Sequence, residues 1–200
     1  MNRRRFLIAA GTAGMGLAGA AVWRFWPEQG LLNPCLAALP RALAEHELVH
    51  SAWSGLDPAQ VWDCHAHLVG TGDSGNGIWL NPALESMLHP LQYAQRLFFL
   101  NAGCAHEAPG RVDQSYVERM HNLLEGLRPG VKLMLFAFDY LHREDGTADR
   151  DNSSFYVPNE YARNIARKNP KFFEWVASIH PYRKDCVEAL ERAAAEGARA

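Results

Sequence analysis

The residues that decide the fold are 61–69, VWDCHAHLV, followed at once by the glycine-rich stretch 70–77, GTGDSGNG. An apolar run that ends in glycines is typical of a strand leading into a loop. Side chains alternate between the two faces of a strand, so Asp63, His65 and His67 are expected to share one face. The stretch therefore predicts a first strand that carries two imidazoles side by side near its end.

Paired imidazoles on a rigid strand indicate a metal site, because neutral histidine is the commonest protein ligand for zinc and similar ions. The His-x-His spacing is weak by itself, since nine histidines in 200 residues produce about 0.4 such pairs by chance. Its context carries the prediction: an acidic residue in phase, an apolar strand and a glycine-rich exit. We expect His65 and His67 to bind a divalent metal ion, zinc in the first place, and Asp63 to support the strand end without ligating.

Apolar runs and helical spacings alternate along the rest of the chain. Further strands are predicted at 131–138 and 172–179, and helices at 91–100, 113–127, 159–168 and 185–196. Asp139 and His180 follow directly after these two strands, and in β/α barrels the catalytic groups come from the ends of several strands. The order predicts an α/β fold in which residues 61–200 form a partial (β/α)8 TIM-like barrel, about its first three to four β/α units.

Three segments, 62–68, 137–139 and 173–183, resemble the amidohydrolase superfamily of metal-dependent hydrolases. The resemblance is closer to the amidohydrolase-related branch, also called amidohydrolase family 2. It implies that His65 and His67 are the first pair of metal ligands and that the remaining ligands lie beyond Ala200. A complete barrel needs about 250 residues, so we expect this chain to be the N-terminal part of a longer enzyme.

The expected activity is that of a metal-dependent hydrolase, in which metal-activated water attacks an amide, ester or lactone-like carbonyl of a small molecule. Asp139 and His180 are the candidate catalytic residues, binding substrate or moving protons. Alternatively, Asp139 caps a loop and His180 is a structural histidine. Two other functions stay open: a metal-dependent decarboxylase of the same branch, and an exported metal-binding protein without catalysis.

The N-terminus resembles a twin-arginine export signal, because Arg3, Arg4 and Arg5 precede Phe6 and a weakly apolar run follows. We expect residues 1–26 to be a signal peptide or anchor whose partner is the twin-arginine export machinery. Residues 27–60 are expected to be an N-terminal arm. The protein is then periplasmic or membrane-anchored, with the N-terminal segment as its only contact with the membrane.

Composition fits one globular domain, with 48% hydrophobic residues and 20 lysines and arginines against 22 aspartates and glutamates. No basic cluster outside the N-terminus indicates a nucleic-acid partner. The four cysteines show no metal-binding spacing, and we expect Cys64 to be a small core residue. An exported protein can oxidise a cysteine pair, but the sequence does not identify which pair.

Residues 70–75 match the G-x-G-x-x-G pattern of dinucleotide-binding loops. That pattern needs a helix to begin at its last glycine, so that the helix N-terminus meets the pyrophosphate. The residues after Gly75 do not start a helix, which disfavours a nucleotide site. We expect the loop to form a flexible rim over the metal site.

Overall fold

The computed structural model describes residues 33–36, 38, 40–105 and 109–200. The predicted signal segment, residues 1–26, lies outside them. The fold reported below is that of one compact unit, Cys35–Ala200. No helix within these described residues is long and apolar enough to cross a membrane.

Strands and helices alternate through most of this unit. The helices are α1 (Arg41–Ala44), α2 (Glu47–Trp53), α3 (Pro90–Ala102), α4 (Val112–Glu125), α5 (Asn159–Lys168) and α6 (Cys186–Ala195). The strands are β1 (Trp62–His67), β2 (Trp79–Leu80), β3 (Lys132–Phe136), β4 (Phe155–Tyr156) and β5 (Phe173–Val176). Short 3-10 turns at Pro58–Gln60 and Pro82–Glu85 precede β1 and α3. The three predicted strands are present and shorter than expected.

The parallel sheet has the order β1-β3-β5, while β2 and β4 pair as a separate antiparallel ribbon. The prediction of a partial (β/α)8 barrel is therefore wrong, because the described residues form a small mixed α/β fold. The second sheet is the physical reason. Two short aromatic segments, for which the sequence predicts no strand, pair with each other, with Trp79 opposite Tyr156. The strands of a TIM barrel are all parallel, and this antiparallel ribbon is not one of its strand–helix units.

A bulge in β1 changes which side chains share a face. Asp63 aligns with Leu133 of β3, and Ala66 aligns with Leu135, so three steps along β1 match two steps along β3. Residues aligned in a sheet point to the same side, and an extra residue reverses the alternation beyond it. Asp63 therefore lies on the face opposite His67, which corrects the expectation that Asp63 shares a face with the histidine pair.

The hydrophobic core lies between one face of the parallel sheet and the helices α4, α5 and α6. Its buried members include Leu68, Met120, Leu124, Leu135, Ala162, Ala166, Phe173, Trp175 and Ala193. The other face of the sheet carries an ionic ladder, in which Glu174 accepts from Lys132 at 2.7 Å and from Arg199 at 3.1 Å. Helices thus cover the first face, and the histidine pair of β1 lies on the second.

The chain after α6 continues along the free edge of β5. The backbone N–H of Arg199 donates to the carbonyl of Trp175, and that of Ala177 donates to the carbonyl of Ala200, each at 2.9 Å. Cys64 is exposed on the opposite edge of the sheet, on β1. The expectation that Cys64 is a core residue is wrong, because β1 is an edge strand with one side uncovered.

The glycine-rich loop, residues 70–77, closes around the carboxylate of Asp113 in α4. This carboxylate is fully buried and accepts from the backbone N–H groups of Thr71 at 2.6 Å, Gly72 at 3.1 Å and Ser74 at 3.3 Å. The Ser74 hydroxyl and the Asn76 amide add two further bonds of 2.8 Å. The loop is therefore held firmly rather than forming the expected flexible rim. Its amide groups, which a phosphate would need, are already used by the protein.

Asp73 adds a second connection between the loop and α4, in which the loop supplies the acceptor and the helix supplies the donors. Its carboxylate accepts from the backbone N–H groups of Val112 at 2.7 Å and Asp113 at 3.2 Å, so it caps the first turn of α4. A Cβ at Gly70 would lie 2.2 Å from the Asp113 carboxylate, which only glycine avoids. The close approach of a buried carboxylate thus explains Gly70, whereas Gly72, Gly75 and Gly77 have positive φ angles that favour glycine.

We predict that Asp113→Asn lowers the free energy of unfolding by about 3 kcal/mol. One of the two acceptor oxygens becomes a donor facing backbone N–H groups, which then lose their partner inside the protein. Urea denaturation of both proteins measures the difference. Asp151→Asn, an exposed aspartate of the loop before β4, is the matched control and is expected to stay within about 0.5 kcal/mol of the parent. Equal losses in the two variants would contradict the assignment.

A disulfide between Cys35 and Cys104 joins the N-terminal arm to the loop after α3, across a sequence separation of 69 residues. Arg119 of α4 fixes the same part of the arm by donating to the carbonyl of Cys35 at 3.2 Å and to that of Leu36. The arm is therefore held to the body of the unit both covalently and by hydrogen bonds.

We predict that reduction of this disulfide lowers the free energy of unfolding by about 4 kcal/mol, because the open chain regains the entropy of a long loop. Urea denaturation with and without dithiothreitol measures the loss. The double variant Cys35→Ser, Cys104→Ser should be as unstable as the reduced protein and insensitive to dithiothreitol. The same sensitivity to reductant in the double variant would show that this disulfide is not its source.

Candidate functional site

His65 and His67 converge at the carboxyl end of β1. Their Nε2 atoms lie 2.9 Å apart, and the ring centroids are 4.8 Å apart at an interplanar angle of 73°. Two nitrogens bound to one ion at about 2.1 Å lie about 3.0 Å apart at a right angle and about 3.4 Å apart at the tetrahedral angle. The pair therefore fits one divalent cation with little movement. Without a cation, one ring donates its Nε2–H to the other.

Aromatic rings surround the buried side of this pair. The Phe136 ring lies 6.0 Å from His65 and 5.6 Å from His67, and the Phe138 ring also lies 5.6 Å from His67. The Tyr116 hydroxyl donates to the His67 carbonyl at 2.8 Å, which fixes the backbone at the strand end. Burial, and next the charge of His65, lower the pKa of His67 below its usual range. A lowered pKa favours the neutral imidazole, which is the form that binds metals.

The groups around the pair supply no further ligand within the described part of the chain. No cluster of three or more histidine, cysteine, aspartate or glutamate side chains is arranged there to hold a metal ion. The Asp63 carboxylate accepts from the backbone N–H of His65 at 3.0 Å, so it supports the strand that carries the pair. The buried Nδ1 of His67 has no hydrogen-bond partner among these residues, whereas ligating histidines usually donate through their second nitrogen.

Asp139 and His180 meet where β3 and β5 end. The Asp139 carboxylate, 5% exposed, accepts from the backbone N–H of Tyr140 at 2.9 Å, from that of His180 at 2.9 Å and from Arg183 Nη1 at 3.1 Å. The structure thus brings the two predicted catalytic residues together, but through the backbone of His180 rather than its ring. Asp139 joins the two strand ends, and its part in proton transfer stays a prediction.

The ring of His180 has a neighbour that the sequence analysis missed, His142, at a centroid distance of 5.2 Å. Each ring uses Nδ1 locally: His180 accepts from the backbone N–H of Tyr182 at 3.2 Å, and His142 lies 2.9 Å from the carbonyl of Tyr140. Nε2 of each ring is then the nitrogen left for a ligand. His142 lies in a polar loop, and no pattern in the sequence connects it with His180.

A cleft of about 340 Å³ opens beside His142 and Asp139. Its lining includes Asp139, Tyr140, His142, Tyr156, Arg183 and Lys184. The rings of Tyr140 and Tyr156 stack at 4.2 Å and 5°, and Trp79 packs 5.3 Å from Tyr140. Arg183 binds Asp185 through two bonds of 2.9 and 3.0 Å and lowers the pKa of Asp185 to about 2. No local sequence pattern indicates this aromatic wall, because its members come from three separate segments.

The predicted site residues thus form two neighbouring groups. His65 and His67 are one, and Asp139 with His180 is the other. Phe138 links them along the chain, because its ring contacts His67 and its successor is Asp139. The chain has no match among protein-family models, curated proteins or solved structures. Its function therefore has to be argued from these two groups.

Proposed function

We propose that the chain binds one divalent first-row metal ion, zinc in the first place, through Nε2 of His65 and Nε2 of His67. We propose further that it acts as a metal-dependent hydrolase on the carbonyl group of a small molecule. The observation that carries the proposal is the 2.9 Å separation of the two nitrogens. It is close to the spacing of two nitrogens on one ion, which is about 3.0 Å at a right angle and about 3.4 Å at the tetrahedral angle of zinc.

Each residue around the pair has a separate role in this proposal. His65 and His67 hold the ion, and Asp63 fixes the strand backbone that carries His65. Phe136 and Phe138 keep water away from the buried side of His67. A divalent ion bound here supplies Lewis-acid activation of water and of a substrate carbonyl oxygen. Two protein ligands leave coordination positions for both.

The cleft lined by Asp139 and His142 is the proposed place for the substrate. It lies at the carboxyl end of parallel strands, where open α/β sheets bind their ligands. Asp139 holds the backbone of His180 in place, and His180 is the candidate for proton transfer to the leaving group. The sequence resemblance to amidohydrolase-related enzymes supports hydrolysis, and a decarboxylase of that branch is the alternative chemistry.

One observation favours a second candidate, a metal-binding protein without catalysis. The described residues place no third histidine, cysteine or acidic ligand with His65 and His67, and structural or catalytic zinc sites usually have three or four protein ligands. A two-ligand site holds its ion more weakly. Metal affinity and activity therefore have to be measured separately.

Calorimetric titration with ZnCl₂ tests the site. We expect about one equivalent of zinc to bind, and His65→Ala or His67→Ala to weaken the affinity at least about tenfold, because each removes a direct ligand. His50→Ala, an exposed histidine of α2, is the matched control and should bind zinc as the parent does. Equal affinities in all four proteins would contradict the proposed metal site.

Activity is tested on the zinc-loaded protein with amides, esters, lactones and carboxylic acids. Zinc-dependent hydrolysis that is lost in His65→Ala and strongly reduced in His180→Ala is the expected result. Carbon dioxide release without hydrolysis would replace the hydrolase by the decarboxylase. Tight zinc binding without turnover of any class would leave the non-catalytic protein as the function.

We also propose that the protein is exported by the twin-arginine route. The Cys35–Cys104 disulfide supports this, because disulfides persist in oxidising compartments such as the periplasm. Fractionation of cells that express the full chain is the test, with the double variant Arg3→Lys, Arg4→Lys as comparison. The parent should appear in the periplasmic or membrane fraction, and the variant in the cytoplasm. Parent protein confined to the cytoplasm would rule the route out.

A further inference from the structure

We propose that α3 is the contact through which two copies of this chain form a symmetric dimer. The contact surface, called the α3 patch below, consists of Met87, Leu88, Leu91, Ala94 and Phe98. The four large side chains are 80%, 89%, 82% and 67% exposed. Monomeric soluble proteins rarely expose a contiguous apolar surface larger than a few hundred Å². A group of large apolar side chains within 12 residues therefore indicates an interface.

The α3 patch is distinct from the side of α3 that packs into the protein. Tyr93, Arg96 and Leu100, spaced as neighbours on one helix face, are half-buried. Arg96 and Leu100 line a small apolar cavity beneath the helix. A turn of 100° per residue places Leu91 and Phe98 on the side opposite these residues. Apolar side chains therefore lie on both sides of α3, and the protein covers only the side that carries Tyr93 and Leu100.

The size of the α3 patch matches what a dimer needs. Together with the flanking Leu97, which is 46% exposed, it offers an area on the order of 700 Å². That is about the area each partner contributes to a stable protein interface. A second copy of the chain provides an identical surface of the same size.

The near absence of charge in this region also favours a second copy of the chain as the partner. Arg96 is the single lysine, arginine, aspartate or glutamate between residues 86 and 105, and its side chain is three-quarters buried near Glu85. Two such surfaces therefore meet without like-charge repulsion, and the cores of interfaces are generally depleted in charge. A lipid surface would be expected to select a cationic rim instead.

The order of residues along α3 suits a two-fold axis. In an antiparallel pair with the axis between Ala94 and Gln95, Leu91 of one copy lies opposite Phe98 of the other, and Ala94 lies opposite Gln95. Each contact then occurs twice, as an isologous interface requires. Ala94 allows the helix backbones to approach at the centre, while the larger side chains fill the two ends.

Light scattering coupled to size exclusion, at roughly 50 µM protein, tests the proposal on the full chain. The expected mass is twice the 22.3 kDa of one chain. Phe98→Glu should weaken dimerisation at least about a hundredfold, because the change enters a two-fold contact twice. Leu190→Glu, an exposed leucine of α6, is the matched control and should remain dimeric. Circular dichroism checks that both variants are folded.

The double variant Leu91→Lys, Phe98→Glu tests the register, since it places opposite charges across the axis at both ends. It should restore the dimer that Phe98→Glu alone loses. A monomeric parent chain, a dimer that survives Phe98→Glu, or a double variant no better than Phe98→Glu would each overturn the proposal. So would a parent chain that stays monomeric and binds phosphatidylcholine–phosphatidylglycerol vesicles through the α3 patch.

Discussion

The register between β1 and β3 determines where the groups of the candidate metal site lie. One extra residue in β1 between Asp63 and Ala66 reverses the alternation of side chains, and the remaining alignment places His67 beside Phe136. The histidine pair consequently lies on the face that the helices leave uncovered, at the carboxyl end of the sheet. Were β1 regular, Asp63 would share that face and add a carboxylate to the pair. The bulge thus separates the supporting carboxylate from the two imidazoles.

The buried carboxylate of Asp113 fixes the glycine-rich loop that follows β1. The Asp113 carboxylate accepts from backbone N–H groups that the glycine-rich turn leaves without partners. The Asp73 carboxylate in turn accepts from the first backbone N–H groups of α4. An unpaired carboxylate would be costly at this depth, but each oxygen here accepts several hydrogen bonds. The exchange joins the loop after β1 to α4 and keeps Tyr116 in reach of the His67 carbonyl. The geometry of the pair therefore depends on a residue 46 positions away.

Local structure was readable from the sequence where one short pattern determines it. The apolar run around Leu133 predicts β3, and α5 begins and ends at the predicted residues, Asn159 and Lys168. The features that the sequence does not predict depend on contacts between distant segments. No periodic pattern in the sequence predicts the pairing of β2 with β4, the β1 bulge or the contact between His142 and His180. The barrel prediction failed for the same reason, because a series of strand–helix units does not specify how the sheet ends.

The residues of the candidate site also divide into those that a local pattern predicts and those that depend on distant contacts. His65 and His67 are two positions apart on one strand, so a local pattern was sufficient to pair them. Asp139 and His180 follow neighbouring strands, as their positions in the sequence predict, yet no pattern indicates that the Asp139 carboxylate accepts from the His180 backbone. Asp113 was missed as an internal residue, because an aspartate in the first turn of a helix is ordinarily a solvated one.

The central claim is that His65 and His67 hold one ion between their Nε2 atoms. Imidazole ¹⁵N spectra of the protein, recorded during titration with zinc, test it most directly. The Nε2 resonances of both residues should shift together and saturate at one equivalent of zinc, while the resonances of His50 and His121 stay unchanged. Shifts confined to one ring of the pair, or spread over all histidines without saturation, would contradict the claim.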